Sequence, residues 1–96
     1  MNILTTVKAV FNGIHTDPDN GAVHGHDYEV EAGWYGSTER FEVLKAKLAA
    51  HIATLDHRPM PHWSAEEMAP WLLERLGCDW LKISRPSIGH SVTVHQ

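Results

Sequence analysis

Val23-His24-Gly25-His26-Asp27-Tyr28-Glu29-Val30 is the stretch from which the rest of the chain can be read. As a β-strand it alternates side chains between two faces, so His24 and His26 fall on the same side and form half of a metal site. Gly25 between them leaves the opposite face bare, a sign that other backbone or a ligand comes close there. The continuation, Tyr28-Glu29-Val30-Glu31-Ala32-Gly33-Trp34-Tyr35, places Tyr and Val at alternate positions with Glu between them, the pattern of a strand buried on one face. His15 is the best candidate for a third ligand, because it closes an earlier apolar strand-like run, Val10-Phe11-Asn12-Gly13-Ile14. Three neutral imidazoles and a water make the open zinc site used in catalysis. Closed structural sites take four protein ligands, usually rich in Cys, and this chain has one Cys. His-x-His alone is a weak signal: with eight His in the chain, some pairs fall at that spacing by chance.

The composition narrows the class. Ninety-six residues predict one domain over residues 1–96, and a domain of this size buries only roughly 60–65% of its chain's surface, so a metal or oligomerisation would help it. A hydrophobic content of 43% with four Trp implies a real core. A net charge of −4 without a basic cluster argues against a nucleic-acid partner. No apolar run approaches the ~20 residues of a membrane span, and Met1-Asn2-Ile3 does not open a signal peptide. The single Cys excludes an internal disulfide and suits a reducing compartment. The expectation is a soluble cytoplasmic domain with neither membrane nor nucleic acid as partner.

Taken in order, Ile3 to Ile14 reads as a first strand with Thr5, Val7, Ala9 and Phe11 on one face. Asp17-Pro18-Asp19-Asn20-Gly21 is a strong turn signal that folds His15 back toward His24. Gly36-Ser37-Thr38-Glu39 breaks the second strand, and the period then changes. Phe41, Leu44, Leu48, Ile52 and Leu55 recur at helical steps and predict an amphipathic helix, with His51 on or beside its apolar stripe. Leu55-Asp56-His57-Arg58 ends it before Pro59 and Pro61. Ser64-Ala65-Glu66-Glu67 is a capping box that opens a second helix through Met68, Trp71, Leu72 and Leu76 to Gly77. Pro70 inside that helix predicts a kink near Glu66. Trp80 to Ser84 and Ser91 to His95 read as two closing strands around the loop Arg85-Pro86-Ser87-Ile88-Gly89-His90. The order β-β-α-α-β-β makes an α+β domain with two helices on one face of an antiparallel sheet. On residue pattern alone, Asp56-His57 reads as a helix C-terminal cap, where the helix dipole favours His.

In this order the motifs resemble the 6-pyruvoyl-tetrahydropterin synthase and 6-carboxytetrahydropterin synthase (QueD) family. The carriers are Phe11-Asn12-Gly13-Ile14-His15, the His-Gly-His strand His24 to Val30, the helix opening at Phe41, Leu44 and Lys45, Leu55-Asp56-His57, and Trp63-Ser64-Ala65-Glu66 in place of the family's Pro-Thr-x-Glu. The resemblance covers nearly the whole chain. It implies a T-fold subunit of two helices on a four-stranded antiparallel sheet, assembled as a homo-oligomer (trimer or hexamer) with active sites between subunits. It also implies Zn2+ on His15, His24 and His26, proton transfer by Asp56 and His57, and a substrate-contacting position at Ser64. The substrate implied is a small reduced pterin, 7,8-dihydroneopterin triphosphate or a relative.

Two departures stand against these matches. The family's usual Cys, four residues before the first His of His-Gly-His, is here Asn20, and the Glu that a subgroup carries one position later is Gly21. Asp19 is the nearest ionisable substitute, although a turn-forming Asp before Asn-Gly explains it equally well. Ser84 and Arg85 stand where the family's pterin-anchoring Glu is expected, and Arg40 stands where the family often has Asp. Cys78 reads as core. The expectation is a zinc-dependent lyase of this type with an altered active site. The alternative is a non-catalytic, zinc-bearing pterin-binding or structural homologue.

Overall fold

A computed structural model describes residues 3–16, 19–58 and 64–96, without the side chains at positions 15, 16 and 24. The chain runs β1 (Leu4–Thr16), β2 (Val23–Tyr35), α1 (Phe41–Ala53), α2 (Ala65–Leu76), β3 (Trp80–Arg85), a 3-10 turn at Pro86–Ile88, and β4 (His90–His95). The strands form one antiparallel sheet in the order β1-β2-β3-β4. This is the predicted β-β-α-α-β-β arrangement. Asp17-Pro18 and Trp63, used in the sequence reading, lie outside the described residues.

Strand alternation builds the core. Val7 and Phe11 of β1, Tyr28, Val30, Ala32 and Trp34 of β2, and Leu81 and Ile83 of β3 are buried together with Leu44, Leu48 and Ile52 of α1 and Met68, Leu72 and Leu76 of α2. Each buried aliphatic side chain contributes about 1.5–3 kcal/mol relative to exposure. Leu55 is buried too, although α1 has already ended at Ala53. Phe41, predicted on the apolar stripe, is instead 59% exposed: it is the first residue of α1, in a turn not covered by the core.

The ends of α2 are set by sequence. The Ser64 hydroxyl accepts from the Glu67 N–H at 3.2 Å, and the helix closes on Gly77 in the left-handed region at φ 63. The helix runs unbroken through Pro70, which supplies no N–H for the Glu66 carbonyl. Gly33 is required by a close approach, since a Cβ there would collide with the indole of Trp80, its register partner on β3.

Unequal strand lengths shape the domain. β1 and β2 are 13 residues each and pair along their full length, whereas β3 and β4 have six residues each and β3 meets β2 only between Glu29 and Gly33. The turn end of the first hairpin, which carries His15, His24 and His26, therefore extends past β3. This elongates the molecule to 51 × 22 × 20 Å. Among the described residues, no helix is long and apolar enough to cross a membrane.

Candidate active site

The hairpin register sets His15 opposite His24 and Gly13 opposite His26. The pair Phe11–Tyr28 belongs to the same series and is buried on the helix side, so positions 15, 24 and 26 belong to that side of the sheet. The side chains of His15 and His24 are outside the described residues, and among those described no group of three metal-ligating side chains occurs. The three positions nevertheless fit zinc in chemistry and in register: three imidazoles leave a fourth coordination position open. Gly25, between the two strand histidines, has the Asn12 side chain beside it. A Cβ there would lie 3.2 Å from the Asn12 Oδ1, so it is the Asn12 amide that takes the space.

His26 is half-buried, with its ring edge-on to Tyr28 at 6.3 Å between centroids. Arg85 Nη2 stands 2.8 Å from His26 Nδ1, and the guanidinium carbon lies 6.0 Å from the centre of the Tyr28 ring. Burial pushes the Tyr28 phenol up, with Arg85 acting against it. Next to Arg85 in the β3–β4 register is His90, whose Nε2 lies 3.2 Å from Glu66 Oε1 in the first turn of α2. The Glu66 carboxyl is held below its usual range by its own backbone N–H first, and also by Ser64 and His90. Of the two residues standing where an anchoring Glu was expected, Arg85 alternates with buried Ile83 and shares its face. Ser84 pairs with Glu29 on the other face.

Asp56 and His57 are placed by the edge of β1. The Asn12 N–H donates to Asp56 Oδ1 at 2.9 Å, the His57 N–H donates to the Asn12 carbonyl at 2.7 Å, and the Ile14 N–H donates to the Arg58 carbonyl at 3.3 Å. The segment thus docks on the side of β1 away from β2, satisfying backbone groups that an edge strand would leave open. It is no helix cap, because the cap of α1 is Thr54. Docking holds His57 at φ 55, the only positive φ outside glycine among the described residues. His57 Nδ1 lies 3.1 Å from Asp56 Oδ1, with the imidazole 75% exposed. The Asp56 carboxyl is lowered chiefly by the Asn12 N–H and further by His57, against some desolvation. A carboxylate so fixed orients the imidazole ring of its neighbour.

The pair borders a groove of about 560 Å³ lined by Phe11, Asn12, Asp27, Tyr28 and Pro86, among others. His26 is not among its described lining residues. Asn12 touches both neighbourhoods: its backbone holds Asp56 and His57, and its Nδ2 donates to Asp27 Oδ1 at 3.1 Å.

Of the remaining candidates, Asn20 and Ser64 have structural contacts. Asp19 is exposed in the turn before Asn20. Asn20 Oδ1 accepts from the Ala22 N–H at 2.8 Å, a turn-forming use of its amide. The Ser64 hydroxyl is occupied in capping α2, within 3.2 Å of both the Glu67 N–H and Glu67 Oε1. Cys78 is buried and its thiol is pushed up to about 11 by burial, which leaves no reactive thiolate near neutral pH. Sequence reasoning missed the contacts of Asn12 altogether. It also missed the pairing of Arg85 with His26, although the two-residue alternation from Ile83 would have put Arg85 on the inner face.

Among protein-family models and curated proteins, none matches this chain. Solved structures do. A Plasmodium vivax 6-pyruvoyltetrahydropterin synthase, a variant in which a catalytic glutamate is replaced by alanine, superposes with a TM-score of 0.75 at 17% identity, covering 100% of this chain and 99% of that one. The corresponding cysteine variant gives the same values, 0.75 and 17%. The Plasmodium falciparum 6-pyruvoyl tetrahydropterin synthase gives a TM-score of 0.68 at 18% identity, with 99% of each chain covered. This chain has the fold of the 6-pyruvoyltetrahydropterin synthases.

Proposed function

We propose that the chain is a zinc-dependent lyase related to the 6-pyruvoyl- and 6-carboxytetrahydropterin synthases, acting on a reduced pterin through an altered active site. The observation that carries this reading is the register of His15 against His24, with His26 two positions along the same strand, in a fold shared with pterin synthases. His15, His24 and His26 would hold the zinc. Bound there, zinc would polarise the substrate's side-chain oxygens and ease loss of a proton from carbon. His57, oriented by Asp56, moves protons. Because its ring is largely exposed and His26 does not line the groove beside it, a second subunit supplying the pair completes the site in this reading. A homo-oligomer, trimer or hexamer, in the cytoplasm is the working form in this reading.

One observation favours the alternative of a non-catalytic pterin-binding or structural homologue. The P. vivax neighbours are variants of a catalytic glutamate, and the positions where the family resemblance expects a Cys or a Glu carry Asn20 and Gly21 here, with the Asn20 amide committed to the turn. A missing general base lowers a rate by about two to four decades. Turnover of dihydroneopterin triphosphate is therefore expected to be weak, and what remains depends on zinc and His57. Zinc analysis, with assays of wild type, Asn20→Cys and His57→Ala, tests this. The lyase reading predicts about one zinc per chain, residual turnover that His57→Ala abolishes, and a gain in Asn20→Cys. Zinc without turnover in any of them, unchanged by His57→Ala, leaves the binding homologue.

A further inference from the structure

We propose that Arg85 competes with the metal for His26, so that metal binding and the Arg85–His26 hydrogen bond exclude one another. This rests on the zinc reading above. A guanidinium has only N–H groups to offer, and Arg85 Nη2 stands 2.8 Å from His26 Nδ1. That nitrogen therefore presents its lone pair to Arg85, and the single proton of the neutral ring sits on Nε2. A metal needs a bare ring nitrogen. Coordination through Nδ1 takes the lone pair that Arg85 uses. Coordination through Nε2 shifts the ring proton to Nδ1 by exchange with water, with no net gain or loss, and sets that N–H against the N–H of Arg85. Either way the guanidinium must withdraw before His26 can serve as a ligand.

The surroundings of Arg85 suit such a withdrawal. It is the last residue of β3, one position beyond Ser84, where the β2–β3 register ends, and it leads straight into the 3-10 turn at Pro86–Ile88. Among the described residues no carboxylate pairs with it, and its Nε is buried with no hydrogen-bond partner. A buried donor without an acceptor is a standing penalty that a swung-out side chain relieves by reaching water. While it stays, its positive charge also opposes a divalent cation on the adjoining ring. Arg85 thus holds His26 in the proton arrangement that cannot bind metal.

Arg85→Met keeps the length and apolar stem of the side chain but cannot donate. Zinc affinity, measured by competition with a chromogenic chelator, should be about ten- to hundredfold tighter in Arg85→Met than in wild type, the worth of one charge-assisted hydrogen bond. A second measurement needs no substitution: nitrogen-15 NMR of the imidazole rings should find His26 protonated on Nε2 without metal, with that pattern lost on adding zinc. Equal or weaker zinc binding by Arg85→Met, while wild type binds one zinc, overturns the competition and leaves the zinc reading intact. So does a His26 protonated on Nδ1 in metal-free protein. Zinc binding by neither protein overturns the zinc reading and the competition together.

Discussion

The backbone N–H of Asn12 donates to the carboxylate of Asp56 at 2.9 Å across 44 residues of sequence, and this bond fixes the Asp56–His57 pair to the first strand. It is also the main reason that the Asp56 carboxyl is held below its ordinary value of 3.8. A depressed carboxyl stabilises the fold above its unfolded pKa of about 3.9, and that contribution is lost as pH falls through the lower folded value. Chemical unfolding of wild type and Asp56→Ala should differ at pH 6–7, and the gap should narrow steadily below about pH 4. A gap of the same size at pH 7 and pH 2 would show that the bond has no part in stability.

Gly33→Ala should destabilise the domain by about 1–3 kcal/mol, the usual range for overpacking. The added methyl meets the Trp80 indole, a rigid ring, not the end of a flexible side chain. In a Trp80→Ala background the same change should be far milder, and the double-mutant cycle in urea measures the coupling. Equal losses in both backgrounds would place the cost in the backbone of β2 instead.

The sheet has two outer edges, β1 and β4, and the docked segment at Asp56–Arg58 covers only part of β1. Val10, Val23 and Ile88 are apolar and exposed. A second copy pairing along these edges removes both liabilities. Light scattering at micromolar concentration is expected to find a homo-oligomer. A stable monomer would overturn this expectation.

Where the sequence was legible, the signal was local. The change from a two-residue to a helical period at Phe41 separated strands from helices, and Ser64 and Gly77 marked the ends of α2. Asp19-Asn20-Gly21 folded the hairpin, and the hairpin alone determined that His15 would face His24. What was hidden depends on contacts far apart in sequence. A helix cap was the natural reading of Asp56-His57, because nothing near them announces a strand edge waiting at Asn12. The family resemblance, and not the residue pattern, pointed to a chemical role for the pair. Phe41 fits the helical stripe, yet periodicity does not say that the first turn of α1 overhangs the core.

In the lyase reading proposed above, the backbone at His57, held at φ 55, makes one position answer to two opposed demands. Left-handed geometry disfavours any side chain there by roughly 1–2 kcal/mol, so glycine would relax the loop and raise the unfolding midpoint. Glycine would also remove the imidazole. A search for more stable variants is thus drawn to His57→Gly, and a search for activity is drawn away from it. Directed evolution under each pressure in turn would diverge at this codon first, a trade-off confined to a single residue.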